Sequence, residues 1–483
     1  MIDVNWLAFS PPLTLLISAS FIVIFALFVS DTRISAGLSI AGLLVSFALS
    51  VVLFGQARAG NPLSSFGLRY LADDMALGFN MVIVLGTIIA ILISFDYLRR
   101  TGLEHPEYYP LILLSSTGAM IMAAAGDLIT LVLGLEIMSL AAYVLSAWRQ
   151  EASESEEAGL KYFLLGAFAS AFFIYGIALT YGATGYFDYA SIQNVLAQDS
   201  FDQVRLATLA GMFLLTGLGF KVAFAPFHQW APDVYTGAPT SVTAFMSVVV
   251  KTGAFAGFLR LMSLLIPQVS PLFVQVLVLL LLLTMLVGNV AALQQRGVKR
   301  ILAYSAVAHA GYLGMAVLSG ALAASAIIWY LTAYTLMNTG AFAVLTLITD
   351  NQDHGDTLER LAGLGGKRPL LAGMLTLFLL SLAGIPPLAG FTAKVLVFQA
   401  AISAGYTYLA VFGILTSAVA VVYYFRPIVA MFFRSAEYDA VQHTSPATYL
   451  AIGIAALGTV LLGLFPSVWY TLLRGGQQLL AGM

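Results

Sequence analysis

The chain has 483 residues, 60% of them hydrophobic and only 9% charged, and its mean hydropathy is +0.94; a soluble domain carries roughly 25% charged residues, so this is a polytopic membrane protein. Cysteine is absent, which excludes a disulfide framework, a thiolate nucleophile and iron–sulfur ligation from this chain. A formal net charge of -2 without a dense basic block argues against a nucleic-acid partner, and five scattered histidines argue against bis-histidine haem.

The opening stretch, MIDVNWLAFSPPLTLL, has no basic n-region and no small-residue cleavage site, and reads as a retained first helix. Apolar runs of about 20 residues, the length that spans a bilayer, recur fourteen times: near 12–30, 34–54, 75–95, 108–125, 128–148, 158–182, 205–225, 239–265, 271–292, 298–318, 322–349, 369–402 with a break, 407–432 and 446–466. The expected fold is an all-α polytopic membrane protein. Loops are short; 183–204 suggests a brief interfacial helix in FDYASIQNVLAQ, and 350–368 is polar. Helices 4–8 and 9–13 form two five-helix groups, and an odd-numbered unit repeated in tandem comes out inverted in the membrane. The broken segments match, each being the fourth of its group: helix 7 at Pro226 and helix 12 at Pro386–Pro387. The division expected is 1–107 for three N-terminal helices, 108–265 and 266–433 for the two repeats, and 434–483 for the last helix.

Basic residues set the orientation. Loops after odd-numbered helices hold Arg33, Arg99, Arg100, Arg149, Arg296, Lys299, Arg300, Arg360, Lys367, Arg368 and Arg434; the opposite side holds Arg58, Arg69, Arg205, Arg260 and Arg474. The richer side is expected to face the cytoplasm, which puts both termini outside. Lys299 and Arg300 read as topology anchors.

That leaves Lys161, Lys221, Lys251 and Lys394 inside or at the edge of apolar segments, with Arg426 unassigned. A lysine at mid-bilayer depth costs roughly 2.5–3.5 kcal/mol, so such residues line functional paths. Glu136 lies about nine residues, or about 13 Å, past Asp127 on its helix. Pairing Glu136 with Lys221 is the most economical arrangement for both: at about 4 Å and an effective dielectric near 20 the pair interacts by about 4 kcal/mol. One charge crossing 100 mV represents about 2.3 kcal/mol, so the pair is of a size to control a proton step; a static clamp between helices is the plainer reading. Lys251 would serve as a desolvated relay or be held by backbone carbonyls, Lys394 as a donor to water or a cap on unwound backbone, and Lys161 as a relay or an interfacial snorkelling residue. His228 in the first break and His309 in YSAVAHAGYLG can both donate and accept, as a proton wire requires.

The segments GLGFKVAFAPFHQWAPDVYTGAPTSVTAF, VKRILAYSAVAHAGYLG and AGIPPLAGFTAKVLVF resemble the antiporter-like membrane subunits of bacterial respiratory complex I, the NADH:quinone oxidoreductase, over nearly the whole chain. The resemblance implies fourteen helices in two inverted repeats and a glutamate–lysine pair joined by a water chain to further lysines. It gives Glu136 the fifth-helix glutamate role, Lys221 and Lys251 the seventh- and eighth-helix lysine roles, His309 a tenth-helix link and Lys394 the twelfth-helix lysine role. M-type relatives carry glutamate where this chain has Lys394, and L-type relatives continue into a long lateral helix and a further span, for which the stretch after position 466 is too short; both features point to the N-type branch. The implied setting is the bacterial cytoplasmic membrane beside other antiporter-like subunits. No cofactor is expected in this chain; FMN, iron–sulfur clusters and quinone are expected in partner subunits. A subunit of a multisubunit Na+/H+ antiporter is the rival reading.

Overall fold

Helices occupy the apolar stretches in order. The computed structural model describes residues 4–29, 31–198, 201–351, 353, 355–435 and 443–467. The helices are α1 (Ser10–Ala26), α2 (Thr32–Arg58), α3 (Asp74–Arg100), α4 (Tyr108–Ala123), α5 (Leu128–Ser146), α6 (Ser153–Thr184), α7 (Tyr189–Leu196), α8 (Phe201–Val222), α9 (Trp230–Gly237), α10 (Thr240–Phe245), α11 (Lys251–Leu265), α12 (Pro271–Leu293), α13 (Val298–Val317), α14 (Ala324–Ile348), α15 (Leu358–Leu361), α16 (Leu364–Lys367), α17 (Pro369–Ala383), α18 (Ala389–Ser403), α19 (Thr407–Phe433) and α20 (Pro446–Leu464). A π-helical turn, Met246–Val250, joins α10 to α11. Among the described residues ten helices are long and apolar enough to cross a membrane, counting Thr240–Leu265 as one, and α1, α4, α17 and α18 are shorter apolar helices. α13 is not among the ten: its 20 residues include Lys299, Arg300 and His309.

Close helix contacts are made where side chains are absent, because between lipid-embedded helices packing replaces the hydrophobic drive. A methyl on Gly118 of α4 would stand 2.3 Å from the Met138 nitrogen of α5, and one on Gly134 of α5 would stand 2.7 Å from the Met122 nitrogen of α4, so the two backbones touch. Gly253 of α11 meets Ala119 of α4 in the same way. The helix 240–265 and α14 are buried along nearly their whole length and form the centre, whereas α2 and α6 bury one side only.

Two polar ends close the bundle. At one, the Trp148 indole donates to the Leu103 carbonyl, Thr32 bonds Glu104, Arg300 pairs with Asp233 at 3.1 Å, and Ser445 donates to Asp96 at 2.6 Å. This end gathers the basic loops. At the other, the hairpin β1 (Leu63–Ser65) and β2 (Tyr70–Ala72), a feature not expected from the sequence, lies over the end of α4 through a bond from the Leu71 nitrogen to the Ala124 carbonyl. Asp127, Asp188 and Asp73 accept from amides of the first turns of α5, α7 and α3, as N-caps do.

Two orientation residues are not loop charges. Arg260 is buried near the end of α11, where its guanidinium grips the Asp73 carboxylate through two 2.8 Å bonds and donates to the Ala123 carbonyl. Lys299, expected as a topology anchor, is buried in an ion pair with Asp353 at 2.8 Å. The expected orientation residue Arg474 lies outside the described residues.

Candidate functional site

The ionisable residues follow the two interruptions of the helices. The first lies between α8 and α9, where Ala223 adopts φ +65 and the Ala225 nitrogen donates to Thr284 of α12 at 2.9 Å. Lys221 precedes it, in the last turn of α8, and is 4% exposed. Its ammonium donates to the Tyr162 hydroxyl of α6 at 3.1 Å and lies 4.6 and 5.0 Å from the Tyr162 and Tyr143 ring centres. Such ring faces attract a cation by about 0.5–2 kcal/mol. The Tyr162 ring is stacked on Trp230, the first residue of α9, at 4.4 Å, so α9 fixes the partner of Lys221.

The expected direct pair of Glu136 with Lys221 is not formed. Glu136 accepts a 2.6 Å bond from Ser170 of α6 and is only half-buried, on a face of α5 that also presents Leu133, Ile137 and Leu140 outward. Helix α6 thus holds both groups, through Tyr162 and Ser170. Lys161, adjacent to Tyr162, points to the polar end, where it pairs with Glu157 at 2.6 Å and Asp233 at 2.9 Å. His228 lies in the first break with its ring 6.5 Å from Tyr304; none of the hydrogen bonds found joins that ring to Lys221 or Lys251.

Lys251 follows the π turn and is 4% exposed. Its ammonium donates to the Ala306 carbonyl of α13 at 2.5 Å and lies 5.6 Å from the Tyr334 ring centre. Tyr334 also lies against His309, three residues beyond Ala306, at 5.1 Å between ring centres. His309 is 1% exposed, and its two ring nitrogens bond the hydroxyls of Tyr330 (2.6 Å) and Tyr424 (3.2 Å). Tyr424 in turn bonds Ser305.

The path continues through residues that carry no charge. Tyr423 donates to the Asn289 carbonyl oxygen at 3.1 Å, and the Asn289 amide donates to Tyr312 at 2.9 Å. The Tyr312 ring centre is 5.6 Å from the Lys394 ammonium. Lys394 reaches back across the second interruption, between α17 and α18, and donates to the Ala383 carbonyl and the Ser417 hydroxyl, each at 2.8 Å. It therefore caps the freed carbonyl end of α17. The left-handed Gly384, at φ +90, makes room for it.

Lys251, His309 and Lys394 thus lie along one buried file of polar side chains, joined in part by hydrogen bonds and elsewhere by ring contacts at Tyr334, between Tyr423 and Tyr424, and at Tyr312, and Lys221 stands at the head of a separate aromatic cluster. Sequence reasoning missed Tyr162, Tyr334, Asn289 and Tyr312. Their signal was weak, because tyrosine and asparagine in apolar helices are ordinary until the fold points several at one another. Among the described residues no cluster of three or more His, Cys, Asp or Glu side chains is arranged to hold a metal ion.

Residues 125–420 match the family model of the transmembrane domain of NADH:quinone oxidoreductase and Mrp antiporters. NADH-quinone oxidoreductase subunit N of Trichlorobacter lovleyi is 45% identical over 87% of this chain and 86% of its own, and subunit N 1 of Herpetosiphon aurantiacus is 40% identical over 98% and 96%. In respiratory complex I from Thermus thermophilus with bound aureothin, one chain is 36% identical and superposes with a TM-score of 0.83 over 96% of this chain and all of that one. A chain of the Mrp complex from Dietzia, 21% identical, has the same fold with a TM-score of 0.83 over 98% of this chain and 97% of its own. The chain belongs to the transmembrane family shared by NADH:quinone oxidoreductase and Mrp antiporters, and within it to the antiporter-like subunits N of NADH-quinone oxidoreductase.

Proposed function

We propose that the chain translocates protons as an antiporter-like membrane subunit of NADH:quinone oxidoreductase, using Glu136, Lys221, Lys251, His309 and Lys394 as its relay. The observation that carries this reading is the alignment of Lys251, His309 and Lys394 on one buried track of tyrosines and Asn289. A proton enters from the basic, cytoplasmic end beside the first break and is held on Lys221 and Lys251. It passes through His309 and the tyrosine hydroxyls, with water completing the track at Asn289, whose amide does not itself relay protons. Release is from Lys394, whose bonds to the Ala383 carbonyl and Ser417 hold it at the second break.

Glu136 supplies the coupling. It is half-buried on an apolar outer face of α5, where a neighbouring membrane subunit would cover it. A charge arriving from that neighbour draws Glu136 from Ser170 toward Lys221, and α6 transmits the change because it binds both. FMN, iron–sulfur and quinone chemistry belongs to partner subunits. The finer architecture we propose is fourteen spans in two inverted five-helix repeats within 108–265 and 266–433, with both termini outside; what supports it is that helical structure is interrupted between α8 and α9 in the first stretch and between α17 and α18 in the second. Replacing Lys221 by methionine tests the reading: proton pumping in membrane vesicles should be nearly lost while NADH dehydrogenase activity stays in the membrane, and pumping at the wild-type level overturns it.

A further inference from the structure

Lys299 and Asp353 are the most deeply buried ion pair in the described structure, and the relay does not use them: their side chains are 3% and 0% exposed, and Nζ lies 2.8 Å from Oδ2. A buried pair of this kind gains little net stability over apolar packing, so its retention calls for a positional reason. Asp353 does more than neutralise Lys299. It accepts from the Thr240 backbone nitrogen at 3.0 Å and from the Thr240 hydroxyl at 2.6 Å. One carboxylate thereby caps the first residue of α10 and grips the second residue of α13. It does so from a loop position with φ +61, a conformation a non-glycine residue keeps only when its contacts hold it there.

Those two helices face each other again where the relay runs. The helix that begins at Thr240 carries Lys251, and α13, which begins beside Lys299, carries Ala306 and His309. Ala306 is seven residues, or about two turns, beyond Lys299, and its carbonyl is the acceptor for the Lys251 ammonium. The π turn at Met246–Val250 lies between Thr240 and Lys251, so the lower part of that helix is not held by a regular α-helical ladder alone. We propose that Asp353 is a positioning residue for proton passage from Lys251 to His309: by fixing the start of both helices in one clamp it sets the spacing at which Lys251 reaches Ala306 and shares Tyr334 with His309. The inference rests on the relay reading given above.

The test uses the complete complex in inverted membrane vesicles, with pumped protons per NADH oxidised as the readout and NADH–ferricyanide reductase as the measure of assembly. Asp353→Asn and Lys299→Gln each lower the pumping ratio to below about one third of wild type, and Asp353→Glu restores most of it. The double variant Asp353→Asn, Lys299→Gln leaves no lone buried charge; it assembles and stays poorly coupled. Thr240→Val keeps the ion pair, removes only the hydroxyl bond, and lowers the ratio by about half. If either single variant fails to assemble, the double variant and Thr240→Val decide. Wild-type coupling in an assembled double variant, or in Thr240→Val, overturns the inference. If Lys251→Met loses pumping while those variants keep it, the relay stands and only the clamp falls; if Lys251→Met itself pumps normally, the relay reading fails.

Discussion

Gly384→Ala is a one-methyl test of the second break. Gly384 has φ +90, and an added Cβ would stand 3.1 Å from both Cδ and Nζ of Lys394. The left-handed backbone costs a residue with a Cβ about 1–3 kcal/mol. The lysine must also give way, and losing either of its bonds, to the Ala383 carbonyl or the Ser417 hydroxyl, costs about 1.5–3 kcal/mol while it is charged. About 2.5–6 kcal/mol therefore falls on the second break and the lysine held there, and every 1.4 kcal/mol is about tenfold in the population of the native arrangement. Proton pumping per NADH oxidised, followed in vesicles matched for assembled complex, should fall at least about threefold. Gly373→Ala is the control, since nothing stands within 4 Å of its added methyl and it lies in the regular α17 helix. Wild-type coupling in Gly384→Ala, or equal losses in both variants, would refute the reasoning.

Three further outcomes are expected. Gly118→Val drives a side chain into the α5 backbone at Met138 and displaces the helix that carries Glu136, so the complex should assemble poorly, as measured by membrane-bound NADH–ferricyanide reductase. Tyr162→Phe removes the hydroxyl that receives the Lys221 ammonium, worth about 1.5–3 kcal/mol while that ammonium is charged; pumping should slow several-fold with assembly intact, and an unchanged rate would remove α6 from the coupling. Burial works to raise the pKa of Asp353, but the Lys299 ammonium and the Thr240 bonds prevail and hold it below the ordinary 3.8. Its contribution to stability is then fully present above that value and is lost as pH falls through the lower folded value. Wild-type complex should lose thermal stability more steeply below pH 3.8 than Asp353→Asn, and identical acid profiles would contradict this.

The charged half of the site was legible in the sequence because charge in an apolar run is costly and therefore conspicuous. Lys221, Lys251 and Lys394 stood out in that way, and prolines marked both breaks. A backbone cap was legible as one reading of Lys394, which is found on the Ala383 carbonyl, but the particular partners of Lys221 and Lys251 were not. Lys251 donates to one particular backbone carbonyl, which sequence does not single out, and Lys221 to a tyrosine 59 positions away. The direct Glu136–Lys221 pair followed from a correct energetic premise, that buried charges seek partners. It failed because Glu136 is only half-buried and satisfied by Ser170, while Lys221 is satisfied by Tyr162 and two ring faces. The burial of Lys299 was not legible for a related reason: basic residues between spans are usually at the surface, and its partner Asp353 lies in a loop whose path periodicity does not define.

The central claim is that one buried track carries the proton, and Lys251→Met tests it most directly. Methionine fills the space of the lysine stem without the ammonium that bonds Ala306 and faces Tyr334. Assembled complex bearing this change, assayed for pumping during NADH oxidation in vesicles, should move almost no protons through this subunit and show a lower pumped-proton ratio. A ratio equal to wild type would contradict the account.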